Sequence, residues 1–141
     1  MEFTSHTPEE TKKIATDFAY TLKGGELIFL QGDLGAGKTT FVQGLVEAFG
    51  YTEPVRSPTF ALMHTYSIEH ETIKRIVHLD LYRLKDQSEL RAFGLEEFLD
   101  DPSTVVLVEW PENGFDTKNV IANKRIVFFI GEDDSRMIRF T

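Results

Sequence analysis

The stretch ELIFLQGDLGAGKTT, Glu26–Thr40, decides how this chain folds. Its first six residues form a short apolar run, the form of a buried strand. The run feeds directly into Gly32-x-x-x-x-Gly37-Lys38-Thr39, which satisfies the pattern of a phosphate-binding loop. Glycines let the backbone curl so that successive N–H groups turn inward towards anionic oxygens. A helix predicted over Lys38–Phe49 brings its positive end to the same spot, with Phe41, Val42, Leu45 and Phe49 turned inward and Gly50 stopping it. In such a loop Lys38 bridges the β- and γ-phosphates and the Thr39 hydroxyl binds Mg²⁺. The alternative is a glycine-rich turn with an incidental lysine, and the strand before it and amphipathic helix after it argue against that.

Before this unit, Thr7-Pro8-Glu9-Glu10 reads as a helix start. Thr7 caps, Pro8 sits in the first turn and Glu10 closes a capping box. Ala15 and Ala19 join Ile14, Phe18 and Leu22 on one apolar face, and Gly24-Gly25 ends the helix. After the phosphate loop, FALMHTYSI (60–68) and KRIVHLDL (74–81) are strands separated by only five residues. A parallel crossover needs about a dozen residues or more, so the two form an antiparallel hairpin. Asp86–Phe93 and Leu95–Leu99 read as short helices around Gly94, and TVVLVE (104–109) as a strand buried on both faces. Arg125–Ile130 and Met137–Phe140 close the chain as a second hairpin. The expected fold is one α/β P-loop domain over residues 1–141, with a mixed, mostly parallel central sheet and flanking helices.

If the first strand ends at the phosphates, functional groups gather at that edge of the sheet. IVHLD ends at Asp80 and VVLVE ends at Glu109, two acidic residues closing apolar strands. Run parallel to the first strand, both deliver a carboxylate beside the loop. The hairpin then brings Ser57-Pro58-Thr59 to the same edge, with Pro58 biasing Ser57 towards extended backbone and Thr59 a candidate γ-phosphate sensor. Each position has a plainer reading. A carboxylate ending a strand also caps helices or sits on the surface, and Thr59 also suits a strand start. Trp110, held in a loop by Pro111, either packs or stacks and gates. His78 either packs on a sheet face or acts as an acid or base. Arg83 reaches a phosphate or partner, or forms a surface ion pair.

Composition narrows the classes further. The 141 residues carry a net charge of −8, which argues against broad contact with nucleic acid. That acidity suits a partner with a basic surface, or serves solubility alone. With no cysteine, disulfides and Cys-based zinc sites are excluded and a reducing cytoplasm is the natural compartment. The amino terminus lacks the basic and apolar regions of a signal peptide, and no apolar run approaches the ~20 residues needed to cross a bilayer.

Four motifs then occur in order: GDLGAGKTTF (32–41), SPTF (57–60), HLDLYRL (78–84) and VEWPE (108–112). Together they resemble the small bacterial P-loop ATPases of tRNA threonylcarbamoyladenosine biosynthesis, the TsaE (YjeE) family. The likeness runs over roughly residues 8 to 112 and takes in ELRAFGLEEFL (89–99). The chain departs from the family's pattern at NVIANKRI (119–126), where a Leu-Pro dipeptide is common before the closing hairpin.

This resemblance implies a protein that binds ATP and Mg²⁺, hydrolyses ATP weakly alone and works in a complex. The implied partners are TsaD and TsaB, which install a threonylcarbamoyl group on the adenosine beside the anticodon in tRNAs reading ANN codons. Hydrolysis would reset that complex between turnovers, with tRNA contacted mainly indirectly. By the same resemblance Leu34, Gly35, Ala36, Gly37, Lys38 and Thr39 hold the phosphates, and Thr39 ligates Mg²⁺. Asp80 supports the metal through water, and Glu109 sits at the metal and orients the attacking water. Thr40 backs the metal site, Trp110 lies at the partner-facing mouth, and Glu10 and Thr11 meet the adenine.

Three rivals are weighed against this. A GTPase needs an Asn-Lys-x-Asp base reader, and Asn123-Lys124-Arg125-Ile126 has Ile where the acid must be. A small-metabolite kinase needs an acceptor pocket and an arginine-bearing lid. Leu84–Asp101 is short and acidic, with only Lys85 and Arg91 as cations. A binding module switched by ATP would use the same loop with hydrolysis incidental.

Overall fold

Thr7 starts the first helix as its composition predicts. Its backbone is extended (φ −141°, ψ 157°) and its hydroxyl accepts from the Glu10 N–H at 3.1 Å. Glu10 reaches back one residue further than a capping box requires, accepting from the His6 N–H at 2.6 Å. The computed structural model describes residues 1–54, 62–86, 88–92 and 94–141. Ser57, Pro58, Thr59 and the expected strand start at Phe60 lie outside the described residues.

The elements in order are β1 (Glu2–Ser5), α1 (Pro8–Ala19), β2 (Leu27–Gly32), α2 (Lys38–Ala48), β3 (Met63–Ser67) and β4 (Arg75–Asp80). There follow α3 (Ser88–Ala92), α4 (Leu95–Leu99), β5 (Thr104–Glu109), a 3-10 turn at Pro111–Asn113, β6 (Lys124–Ile130) and β7 (Arg136–Phe140). The helix expected to reach Leu22 ends at Ala19, capped by Tyr20. Leu22 stays buried without it.

The seven strands form one mixed sheet in the order β1-β7-β6-β2-β5-β4-β3. β6, β2, β5 and β4 run parallel, while β3 and β7 are antiparallel to their neighbours, so both predicted hairpins are present. β1, which the sequence reading missed, pairs antiparallel with β7 and matches Glu2 to Arg139. Four residues of which three are exposed carry too little apolar pattern to announce a strand.

Alternation along the strands sorts the core into two layers. Ile28, Leu30, Val105 and Leu107 pack with Phe41, Val42 and Leu45 of α2 and with Ala15 and Phe18 of α1. Phe29, Val77, Leu79, Val106 and Val108 face the other way, against Leu90 and Leu95 of the short helices. All six residues of β5 are buried, as a strand covered on both faces requires. The two long helices meet at Gly44, where an added Cβ would lie 2.6 Å from the Lys12 Cα. Among the described residues no helix is long and apolar enough to cross a membrane.

Candidate functional site

Parallel pairing brings three strand ends into line. Asp80 is the register partner of Glu109, and Glu109 is in turn the partner of Leu30, two residues before Gly32. The carboxylates expected at the sheet edge therefore stand side by side where β2 turns into the glycine-rich loop. Glu109 is buried at 3% exposure, whereas Asp80 is half-buried and accepts from the Tyr82 N–H at 3.0 Å.

The loop itself depends on left-handed backbone. Gly35 has φ 78° and Gly37 φ 103°, conformations that cost other residues roughly 1–2 kcal/mol. Gly37 precedes α2 without any side-chain cap. The N–H groups of that first turn therefore face the loop's concavity, ready for an anion. Leu34 stands exposed on the loop, Ala36 is buried, and Thr39 and Thr40 are half-buried in the first turn of α2.

Lys38 is almost as buried as Glu109, only 4% exposed. Its ammonium donates to the Gly32 carbonyl, and its Nζ lies 4.2 Å from the centroid of the Trp110 ring. Burial lowers its pKa below the usual 10.5, while Glu109 first, then Asp80, Glu112 and Asp33, pull it back up. Trp110 adopts φ 56°, ψ 51°, and its ring also leans on Tyr82 with centroids 5.0 Å apart. The left-handed step at Trp110, followed by Pro111, turns the chain out of β5 and lays the indole over Lys38.

The residues present fit a magnesium-bound triphosphate. A desolvated ammonium and a row of helix N–H groups suit phosphate oxygens, and the Thr39 hydroxyl with two carboxylates is a hard oxygen set. Among the described residues there is no group of three or more His, Cys, Asp or Glu placed to hold a metal alone. Mg²⁺ bound through one or two carboxylates plus substrate phosphates needs none.

Beside the loop, a cavity of about 150 Å³ is lined by Ser5, His6, Thr7, Pro8 and Thr11 on one wall. Gly35, Gly37, Thr40, Asp134 and Arg136 line the other. Thr11 is buried and bonded through its hydroxyl to Ser5 Oγ at 2.7 Å. Glu10 is not among the lining residues, and its carboxylate is engaged at the helix start.

Two residues at the site escaped the sequence reading as site residues. Arg136 donates from Nε to the Gly35 carbonyl at 3.2 Å, bracing the glycine-rich loop from β7 across 101 positions of sequence. Nothing local to Arg136 signals that contact. His78, weighed as a packing residue or an acid or base, is fully buried with Nε2 2.6 Å from Glu109 Oε2. Its placement two residues before Asp80 puts it on the same face of β4, which is the signal that could have found it.

Comparison with known proteins points one way. The family model described as threonylcarbamoyl adenosine biosynthesis protein TsaE matches residues 5–138. The chain is 38% identical over 143 residues to tRNA threonylcarbamoyladenosine biosynthesis protein TsaE of Bacillus subtilis (strain 168), covering all of this chain and 85% of that one. It is 39% identical over 140 residues to the protein of the same name from Rickettsia bellii, covering 96% of this chain and 91% of the relative. The crystal structure of Bacillus subtilis YdiB superposes with a TM-score of 0.73 at 32% identity, covering 99% of this chain and 83% of that one. The shared fold and this coverage place the chain in the TsaE family of tRNA threonylcarbamoyladenosine biosynthesis proteins.

Proposed function

We propose that this chain is a cytoplasmic P-loop ATPase that hydrolyses ATP to reset a TsaB–TsaD transferase complex between turnovers. That complex threonylcarbamoylates the adenosine beside the anticodon in tRNAs reading ANN codons. The observation that carries the ATPase reading is the pairing of Asp80 with Glu109 at the rim where Lys38 lies under the field of both. A structural glycine turn has no need of a buried lysine facing two carboxylates. The relatives' shared name supports the pathway.

In this reading the backbone from Leu34 to Thr39 cradles the phosphates and Lys38 exchanges the Gly32 carbonyl for phosphate oxygens. Thr39, Asp80 and Glu109 hold Mg²⁺, with Thr40 behind them. The ion, when bound, neutralises charge on the terminal phosphate. Glu109 orients the attacking water, and Thr59 senses the γ-phosphate. Thr11 and the neighbouring cavity take the adenine. Trp110 faces the mouth towards the partners.

The test is multiple-turnover modification of tRNA with purified TsaB, TsaD, ATP and an activated threonylcarbamoyl donor, with and without this chain. Alone, it is expected to turn over ATP far below the roughly 1–100 s⁻¹ of kinases. With the partners it should permit repeated modification. Phosphoryl transfer to a small metabolite, or modification that continues unaided, would overturn the reading.

A further inference from the structure

We infer that His78 is a positioning residue for Glu109, an inference that rests on reading the rim as an ATPase site. His78 is 0% exposed in the middle of β4. Its Nε2 lies 2.6 Å from Glu109 Oε2, a contact between two buried side chains 31 positions apart. Its Nδ1 has no hydrogen-bond partner among the described residues.

That asymmetry argues for a role. A buried polar atom without a partner costs roughly 1–3 kcal/mol. Ile76 on the same face of the strand is fully buried with no such cost. If position 78 served packing alone, an apolar side chain would fill it better. What histidine supplies there is a rigid ring with one nitrogen on the carboxylate. With Nε2 protonated, that N–H donates to Oε2 and fixes the carboxylate's rotation, leaving Oε1 for work at the rim.

The surroundings give such a fixture something to act against. Glu109 closes β5, and the next residue turns the chain sharply at φ 56°. The Glu109 backbone is held by both neighbouring strands, the carbonyl accepting from the Leu81 N–H at 3.0 Å, but that pairing leaves the rotation of the side chain free. Lys38 attracts the carboxylate from the loop side. A hydrogen bond from His78 selects one rotamer against this pull. Groups orienting a metal-ligating side chain in this way typically contribute about 10–100-fold to metal affinity or activity.

The experiment is a double-mutant cycle between His78→Leu and Glu109→Gln. ATP turnover is read together with the Mg²⁺ dependence of binding of a fluorescent N-methylanthraniloyl-ADP. His78→Leu is expected to lower kcat about 10–100-fold with KM for ATP little changed, and to raise the Mg²⁺ concentration for half-maximal effect comparably. In the Glu109→Gln background the same substitution should cost nothing further. Equal losses in both backgrounds would overturn the inference, because His78 would then act independently of Glu109. If Glu109→Gln alone leaves turnover intact, the ATPase assignment of the rim fails instead. Should His78→Leu not fold, His78→Gln and His78→Asn replace it. Gln places an amide nitrogen near the position of Nε2 and Asn near that of Nδ1. Activity kept by Gln and lost by Asn supports positioning, and equal activity of the two overturns it.

Discussion

The Nζ of Lys38 lies 4.2 Å from the centroid of the Trp110 ring while donating to the Gly32 carbonyl. The lysine of the glycine-rich loop is thus held by a backbone oxygen and an indole face. A desolvated cation over Trp gains about 2 kcal/mol, enough to hold this arrangement against thermal motion.

A phosphate that engages Lys38 must compete with that ring. Trp110 is the single tryptophan, so emission excited beyond the absorption of the four tyrosines reports on it alone. Saturating ADP is expected to change the emission, and Lys38→Met should remove most of the change. Constant emission under conditions where calorimetry shows ADP bound would count against the contact.

Burying Lys38 also leaves a mark on stability. Its folded pKa is lowered by desolvation, so between that value and the unfolded 10.5 the unfolded chain binds the proton more tightly. Stability therefore rises with pH across this window, and the cost of the buried ammonium is fully present below it. Without nucleotide, Lys38→Met should be more stable than the parent at neutral pH, with the difference shrinking as pH climbs towards 10.5. Urea midpoints of both proteins at several pH values measure it, and a difference independent of pH would contradict the burial.

Glu109 serves structure as well as the proposed chemistry, and two substitutions separate these. Glu109→Ala leaves both nitrogens of His78 without a partner among the described residues, at roughly 1–3 kcal/mol by urea unfolding. Glu109→Gln keeps an oxygen for the histidine and should be closer to neutral in stability. Both should lower ATP turnover about 10²-fold or more. Loss of stability in the Gln variant equal to that of Ala would show that charge, not the hydrogen bond, holds the pair.

Gly44 tests the contact between the two long helices. Alanine there would gain about 1 kcal/mol of helix propensity. The new Cβ would stand 2.6 Å from the Lys12 Cα and 2.8 Å from its carbonyl oxygen, both backbone atoms that cannot swing aside. Overpacking of this kind costs roughly 1–3 kcal/mol, so a net loss is expected. Gly50→Ala, at φ 90° with nothing within 4 Å of the new Cβ, should lose only the left-handed strain of roughly 1–2 kcal/mol. Thermal melts of the two variants check the contrast, and a stabilised Gly44→Ala would mean the helices are further apart.

Local rules read directly from the chain accounted for the cap at Thr7, the strand running into Gly32, the helix from Lys38 and the antiparallel pairing of β3 with β4. Each follows from neighbours a few residues apart or from a loop too short for any other path. Strand direction then placed Asp80 opposite Glu109, because parallel strands of similar length end together. Side-chain partnerships across the sheet lay beyond that reach. The hydrogen bond from Arg136 to the Gly35 carbonyl spans 101 positions, and the contact of His78 with Glu109 spans 31. Edge strand β1 exists only because β7 offers it a ladder. Hydrophobic period and turn chemistry are written in the chain itself, whereas which polar atoms meet is settled by how strands are ordered in the sheet. In this protein that order decided which residues brace the lysine and the carboxylate that the motif had announced.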